Sequence, residues 1–224
     1  AYSKDARSQY EALKEMPPYE DAIEKGEELY TKKFVNGNSL QTCFPDLTNA
    51  GTYPYYDKNK KELISLTKAV NDCLRANGEK EWGTKKGPMA EFQAYWVNES
   101  KEAGKKFDIK INSKAEKEAY ERGKEYYYSQ RGYLKLSCAT CHIQGSGQRV
   151  RNEKLSPLTG QITQFPVFRL KWDSLGTLER RLSGCVVDQG QVPPKDESTQ
   201  MKELVYFLAY MSNGMSVDGP DIRK

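Results

Sequence analysis

Apolar residues recur at helical spacing along much of the chain, which predicts a mainly α-helical protein. Near the C-terminus, for example, Leu204, Val205 and Leu208 fall on one helical face. Segments 15–32 and 115–130 are rich in helix-forming residues, and a glycine follows each of them as a stop signal. Prolines mark the loops between the predicted helices, at Pro157, Pro166, Pro193 and Pro194.

Composition narrows the class of protein without naming a function. The 224 residues are 37% hydrophobic and 29% charged, and they contain no apolar run long enough to span a membrane. The net charge of +4 comes from scattered residues, which gives no nucleic-acid-binding footprint. The first ten residues contain no apolar stretch, so we expect that any signal peptide has been removed.

The five cysteines and the single histidine carry most of the chemical information. Cys138, Cys141 and His142 form C-A-T-C-H, the attachment pattern of a c-type haem. Two thiols one helical turn apart add to the vinyl groups of the haem, and the adjacent histidine binds the iron. A redox-active C-x-x-C dithiol is the alternative, but the histidine stands where a haem requires it. Bacterial c-type cytochromes mature outside the cytoplasmic membrane, so we expect a periplasmic protein in which disulfides can form.

The chain also repeats itself once, with four blocks in the same order. Allowing a one-residue gap, Cys43 aligns with Cys141 and Phe44 aligns with His142. The other blocks pair 24–30 with 121–127, 66–73 with 178–185, and 89–92 with 201–204. Each unit is therefore predicted to have an entry helix, a cysteine loop, a middle helix and a closing helix.

This repeat predicts two tandem cytochrome c-like domains, 1–105 and 106–224, joined through the polar segment 98–112. The first domain lacks one haem-linking cysteine and the histidine, so we expect that it has lost its haem. Its remaining cysteines, Cys43 and Cys73, match two residues that face each other across the haem of the second domain. Without a haem between them the two sulfurs can meet, so we predict a Cys43–Cys73 disulfide rather than two buried thiols. Closing a loop of about thirty residues in this way is worth roughly 2–4 kcal/mol.

A haem iron with one histidine needs a second axial ligand or an open site. Methionine is the common partner, and Met201, Met211 and Met215 are candidates. The repeat instead favours Cys185, the odd cysteine that is left after two thioethers and one disulfide. An inert buried thiol is the alternative for this residue. A thiolate ligand lowers the haem potential, which favours chemistry at the sulfur over simple electron transfer.

Arg181 precedes Cys185 by four residues, so a helix brings both side chains to one face. An arginine there lowers the pKa of the thiol and can hold an oxyanion such as a sulfonate. Pairing of Arg181 with a haem propionate or with Glu179 is the alternative. Arg180 points to another face of the helix, where we expect it to be solvated.

Three stretches together resemble the SoxA family of thiosulfate-oxidising c-type cytochromes: C-A-T-C-H at 138–142, F-P-V-F-R-L-K-W at 165–172 and E-R-R-L-S-G-C at 179–185. The resemblance extends over essentially the whole chain. Among the members of the family, the chain resembles those that carry a single haem c. The resemblance implies an L-cysteine S-thiosulfotransferase, which couples thiosulfate to a cysteine of the SoxYZ carrier protein and releases two electrons. It also implies that Cys185 is both the distal haem ligand and the catalytic thiol, found in the family as a persulfide. Arg181 matches the substrate-binding arginine of the family.

The same resemblance implies a heterodimer with the SoxX cytochrome subunit, which takes the electrons from the haem. We expect the apolar residues of the closing helix, Leu204, Val205 and Leu208, to suit docking of this second cytochrome. Two other functions are compatible with the same motifs. A non-catalytic electron-transfer cytochrome requires a neutral second ligand and no role for Cys185 in turnover. A stand-alone thiosulfate dehydrogenase forms tetrathionate without a carrier protein.

Overall fold

The computed structural model describes residues 15, 17–150 and 153–223 and is mainly helical, as predicted. Its helices are α1 (Glu20–Thr31), α2 (Leu40–Cys43), α3 (Leu66–Ala76), α4 (Pro88–Glu102), α5 (Lys114–Tyr128), α6 (Leu178–Asp188) and α7 (Thr199–Tyr210). Its strands are β1 (Tyr55–Asp57), β2 (Glu62–Ile64), β3 (Arg149–Val150), β4 (Glu153–Lys154), β5 (Val167–Arg169), β6 (Ser174–Gly176) and β7 (Asp221–Arg223). The strands were not predicted, because two or three residues are too few to show an alternating pattern.

The strands form small sheets that fix loops rather than a core layer. β1 pairs with β2 and β3 pairs with β4, each as an antiparallel hairpin. The third sheet has the order β6-β5-β7, in which β7 runs parallel to β5 and β6 runs antiparallel to it. The F-P-V-F-R-L-K-W stretch, which contains β5, thereby lies between the segment that leads into α6 and the C-terminal part of the chain.

Each unit contains a helix crossing of the same kind. This crossing explains why a glycine recurs in each entry helix. α1 packs against α4 in the first unit, and α5 packs against α7 in the second. At Gly26 a Cβ atom would lie 2.3 Å from the Glu91 carbonyl oxygen, and at Gly123 one would lie 2.0 Å from the Glu203 carbonyl oxygen. These pairs hold matching positions in the repeat. Each crossing is therefore a backbone contact that only glycine permits.

An aromatic cluster occupies the first unit at the position that the C-A-T-C-H residues hold in the second. Phe44, which replaces the histidine in the repeat, has its ring centroid 4.6 Å from that of the fully buried Trp96. Beside it, Cys43 and Cys73 are joined by a disulfide. Packed rings and a disulfide thus occupy positions that correspond to Cys141, His142 and Cys185 in the second unit.

The expectation that the closing helix offers a docking surface is wrong. Leu204, Val205 and Leu208 are at most 7% exposed, and they pack in the core of this chain. Almost every residue of α7 is buried, because α5, β2 and neighbouring loops cover it on several sides. A partner therefore has no access to these three side chains.

Two predicted boundaries also shift in the structure. The entry helix α1 begins at Glu20 rather than at residue 15, since Pro17 and Pro18 precede it. Helix α4 continues to Glu102, so the polar connection between the units begins after this residue and not at 98. Within the described residues, no helix combines the length and the apolar character needed to cross a lipid bilayer.

Candidate active site

The C-A-T-C-H segment follows α5 and forms a helical turn that widens into a π-helical turn at Thr140–Gln144. Ser137 Oγ accepts a hydrogen bond from the Thr140 N–H at 3.1 Å, and the Ser137 N–H donates to Thr140 Oγ1 at 3.1 Å. This reciprocal pair fixes the first turn in the manner of a capping box. Cys138 is buried, Cys141 is partly buried, and neither forms a disulfide. The two thiols are therefore held one turn apart, as thioether attachment requires.

The His142 ring is held by the loop that follows the motif. Its Nδ1 lies 2.8 Å from the Ser156 carbonyl oxygen. A carbonyl oxygen only accepts, so Nδ1 carries the proton and Nε2 is left with a lone pair for a metal. Burial lowers the pKa of His142, and the charge of Arg181 lowers it further. The neutral, metal-ligating form is thus favoured at neutral pH.

Helix α6 carries Cys185 and Arg181, which lie one turn apart. Burial raises the pKa of the Cys185 thiol, whereas the charges of Arg181 and Arg169 act in the opposite direction. Because Arg181 also acts on the pKa of His142, one guanidinium influences both residues. The structure therefore brings Arg181, Cys185 and His142 into one neighbourhood.

The three cysteines outside the disulfide lie around Tyr127. Burial raises the pKa of this phenol, and the charges of Cys138, Cys141 and Cys185 raise it further. Its hydroxyl donates to Gln161 Oε1 at 3.0 Å, which keeps the ring in place. Burial likewise raises the pKa of Cys138 to about 11, with a smaller contribution from Cys185. Cys185 thus lies within electrostatic reach of the attachment motif.

The methionines that competed with Cys185 as second ligand have other contacts. Met201 is 1% exposed in the helical core. The Met211 sulfur accepts a hydrogen bond from the Tyr120 hydroxyl at 3.9 Å. Met215 lies against Gly160, where a Cβ atom would approach its terminal carbon to 2.7 Å. Met201 and Met211 are thus engaged in contacts of their own, while Met215 is partly exposed beside Gly160.

The arrangement fits a haem c in its donor atoms and in one buried guanidinium nitrogen that has no acceptor. Arg131 Nη2 is buried without a hydrogen-bond partner, while the guanidinium lies 3.5 Å from the centroid of the Tyr126 ring. The charge of Arg131 acts on Cys138, so this nitrogen lies near the attachment motif. A cofactor that carries carboxylates would supply the missing acceptor. The thiols of the motif, His142 Nε2 and the Cys185 sulfur complete the set of groups that haem c uses.

Arg180 is partly buried rather than fully solvated, and it has partners within the chain. Its guanidinium lies 4.2 Å from the Trp172 ring centroid, and its Nη1 donates to Ser174 Oγ at 2.9 Å. Arg169 lies 5.0 Å from the same ring. The F-P-V-F-R-L-K-W stretch therefore folds against the beginning of α6, because the Trp172 indole makes favourable cation–π contacts with both guanidinium groups.

The Glu179 carboxyl, the alternative partner of Arg181, is engaged elsewhere in the structure. The Glu179 carboxyl is buried and accepts a hydrogen bond from the Thr67 hydroxyl at 2.7 Å, on the side of the first unit. Glu179 and Arg181 are two residues apart on a helix, so they point to different faces.

Three residues of the site were not singled out from the sequence. Ser156 contributes a backbone carbonyl, for which no side-chain pattern exists. Arg169 lies within the F-P-V-F-R-L-K-W stretch, and its 4% exposure on a strand is the feature that marks it. Arg131 has no motif around it, and only its burial beside Cys138 distinguishes it from other arginines.

Comparisons with known proteins agree with this geometry. The family model described as "SoxA/TsdA, cytochrome c domain" matches residues 25–104 and 122–217. The proteins named L-cysteine S-thiosulfotransferase subunit SoxA of Chlorobaculum tepidum and Chlorobaculum thiosulfatiphilum are 43% and 44% identical, over all of this chain and 78% of each relative. The SoxA subunit of Allochromatium vinosum is 38% identical over 97% of this chain and 78% of its own.

A solved structure shares the fold. The crystal structure of SoxXA from P. pantotrophus matches with a TM-score of 0.86 and 28% identity, over 97% of this chain and 84% of that chain. The family model matches once in each repeat unit, which confirms the prediction of two tandem cytochrome c-like units. The chain belongs to the SoxA/TsdA family of c-type cytochromes.

Proposed function

We propose that this protein is the cytochrome subunit of an L-cysteine S-thiosulfotransferase, which joins thiosulfate to a cysteine of a SoxYZ-type carrier protein. The observation that carries the proposal is the pair on α6, where Arg181 and the partly buried Cys185 lie one turn apart beside the C-A-T-C-H motif. Oxidative coupling of two sulfur atoms needs a reactive sulfur, a cation for the sulfonate group and an electron acceptor. The site offers a residue for each of the first two and a place for the third.

The proposed cofactor is one covalently bound haem c. Cys138 and Cys141 would supply the thioether links, and His142 Nε2 and the Cys185 sulfur would bind the iron. When bound, the haem accepts electrons from the sulfur chemistry and passes them on to the SoxX subunit. The replacement of the second histidine by Phe44 supports a single haem per chain.

Arg181 orients the substrate in this proposal. Its guanidinium binds the sulfonate oxygens through charge-assisted hydrogen bonds, which turns the outer sulfur of thiosulfate toward Cys185. In the overall reaction one S–S bond forms between that outer sulfur and the carrier cysteine. The carrier thiol loses its proton, and two electrons are released.

Cys185 is the sulfur at which the exchange takes place. Burial disfavours its thiolate, whereas Arg181 and Arg169 favour it, so the two arginines keep the reactive form accessible. His142 stays fixed during the reaction, because the Ser156 carbonyl holds its Nδ1 proton.

Membership of the SoxA/TsdA family also supports a proposal for the domain, the compartment and the partners of the reaction. We place the active site in a second domain, 106–224, behind a first domain, 1–105, that carries the Cys43–Cys73 disulfide. We place the protein in the periplasm, as a heterodimer with SoxX, because the solved relative is a SoxXA complex. Thiosulfate and the SoxYZ carrier are then the two substrates.

The test is mass spectrometry of the carrier after incubation with thiosulfate and the heterodimer. We expect the carrier cysteine to gain one thiosulfate unit while the haem is reduced. Formation of tetrathionate without the carrier would instead identify a thiosulfate dehydrogenase. Electron exchange without any sulfur product would identify an electron-transfer cytochrome.

A further inference from the structure

A buried carboxyl group at the start of α6 has no part in the site described above. Glu179 is 7% exposed, and its Oε1 accepts a hydrogen bond from the Thr67 hydroxyl at 2.7 Å. The Thr67 oxygen in turn accepts a hydrogen bond from Gln93 Nε2 at 2.9 Å. The three side chains come from α6, α3 and α4. A continuous hydrogen-bonded chain therefore joins the first repeat unit to the helix that carries Cys185.

Burial makes the hydrogen bonds of the Glu179 carboxyl important for its position. Burial raises the pKa of this carboxyl, the hydrogen bonds from Thr67 and Thr177 lower it by smaller amounts, and the charge of Asp196 adds a minor increase. A cavity of about 60 Å³ between the two units adjoins the group, and most of its lining is apolar. The Thr67 hydroxyl has no water-exposed alternative there, because it is fully buried. Loss of either partner would leave a buried polar atom unsatisfied.

A second set of hydrogen bonds attaches the same end of α6 to the first unit. Thr177, which caps the helix, donates from Oγ1 to the Thr84 carbonyl oxygen at 2.8 Å. Its N–H donates to the Lys85 carbonyl oxygen at 3.2 Å. Thr84 Oγ1 in turn donates to Asp196 Oδ2 at 2.6 Å. Both the cap and the first turn of α6 are thus anchored to residues of the first unit.

The anchored first turn of α6 lies directly before the part of the helix that carries Arg181 and Cys185. Glu179 precedes Arg181 by two residues and Cys185 by six, which corresponds to about 3 Å and 9 Å along the helix axis. A helix moves as a rigid element over this distance, so a shift of its first turn moves the Arg181 guanidinium as well. Misplacement of a substrate-orienting group by about 1 Å lowers a rate by as much as about 100-fold.

We propose that the first repeat unit positions the active-site helix through the Gln93–Thr67–Glu179 chain, so that Arg181 meets thiosulfate in the productive orientation. This inference rests on the proposed transferase function. Glu179 and Thr67 are positioning residues, since they act through α6 and do not contact substrate. The first unit then has a role in the reaction that does not depend on a haem of its own.

The test compares three variants in the haem-loaded heterodimer with SoxX. Thr67→Val removes the central hydroxyl at similar volume, and Glu179→Gln keeps the acceptor and the shape of the side chain. Ser100→Ala is the matched control: its fully buried hydroxyl donates to the Leu47 carbonyl oxygen at 2.7 Å, within the first unit. The measurements are kcat and KM for thiosulfate with the carrier, the thermal midpoint, and the electron paramagnetic resonance spectrum of the ferric haem.

We expect Thr67→Val to lower kcat/KM for thiosulfate about tenfold, mainly through KM. Glu179→Gln and Ser100→Ala should stay within about twofold of the wild type, although Ser100→Ala loses a comparable amount of thermal stability. Equal kinetic losses in Thr67→Val and Ser100→Ala would overturn the inference, since general destabilisation would then explain both. A loss in Glu179→Gln as large as in Thr67→Val would also overturn it, because the charge rather than the hydrogen bond would matter.

Failure of the proposed function can be told apart from failure of this inference. If the wild-type heterodimer transfers no thiosulfate, the function is wrong, and the position of α6 is then read from the ferric haem alone. A change of the haem g-values in Thr67→Val that is absent from Ser100→Ala would still support the positioning role. Identical spectra in both variants would overturn it.

Discussion

Removal of the Cys43–Cys73 disulfide is a perturbation whose cost can be worked out from the connectivity. The bond joins residues 30 positions apart. The chain-entropy relation for a loop of this length gives about 3.6 kcal/mol at 25 °C. In a domain of this size 1 kcal/mol corresponds to about 2–4 °C, so the thermal midpoint should fall by about 7–14 °C.

The assay is urea unfolding of the haem-loaded Cys43→Ala/Cys73→Ala double variant beside the wild type. We expect the free energy of unfolding to drop by about 3–4 kcal/mol. Thiosulfate transfer at 10 °C, where the variant stays folded, should remain within about threefold of the wild type, because α6 and the C-A-T-C-H motif are untouched. This outcome would show that the disulfide stabilises the fold and takes no part in catalysis.

Two results would refute the reasoning. A loss of stability below about 1 kcal/mol would mean that the bond does not restrict the unfolded chain as calculated. A peptide map of unreduced protein with free thiols at Cys43 and Cys73 would mean that the bond is absent from the native protein. Unfolding under reducing conditions serves as the control, since wild type and variant should then become nearly equal.

The remaining predictions concern the cofactor, the substrate, the partner and one surface cluster. A pyridine haemochrome assay should give one haem per chain, and a ratio near two would refute the single site. Arg181→Ala should lower kcat/KM for thiosulfate by a factor of tens to several hundred, about 2–4 kcal/mol, with the haem spectrum nearly unchanged; a normal rate would exclude substrate binding by this residue. The chain and SoxX should co-elute in size-exclusion chromatography at moderate salt, and full activity of the chain alone would contradict the heterodimer. Burial raises the pKa of Asp72, but hydrogen bonds from Lys60, Lys68 and Arg75 outweigh this and lower it to about 2. Asp72→Asn should therefore cost about 1 kcal/mol at pH 7, discounted for exposure, and urea titrations should show the difference shrinking as the pH falls from 4 to 2; a constant difference would contradict it.

The helical fold could be predicted from the sequence because local signals and the repeat agree. Gly26 and Gly123 hold the same place in the two units, and the structure shows the reason in two matching backbone crossings. The spacing of the C-A-T-C-H motif has a chemical basis, so it pointed to the region around His142 without knowledge of the fold. The four-residue separation of Arg181 and Cys185 likewise predicts that both lie on one face of α6.

Other features depend on contacts between distant segments and leave no local pattern. The apolar face of the closing helix suggests a surface for a partner, but α7 buries Leu204 within its own chain. An apolar stripe along a helix shows that this face is buried, but it does not show whether the same chain or a partner buries it. The Ser156 carbonyl that holds His142 is a backbone group, which every residue has. The hydrogen bond between Thr67 and Glu179 spans 112 positions, and neither residue belongs to a motif that predicts it.

Replacement of Cys185 by methionine tests the central claim most directly. The change leaves Cys138 and Cys141 intact, so the haem should stay attached, and a neutral sulfur in place of a thiolate should raise the haem potential. The decisive measurement is the amount of thiosulfate that the variant heterodimer transfers to the carrier thiol under conditions in which the wild type completes the reaction. We predict full haem content, a higher potential and no transfer. Transfer at the wild-type rate would contradict the catalytic role of Cys185 and would identify the protein as an electron carrier.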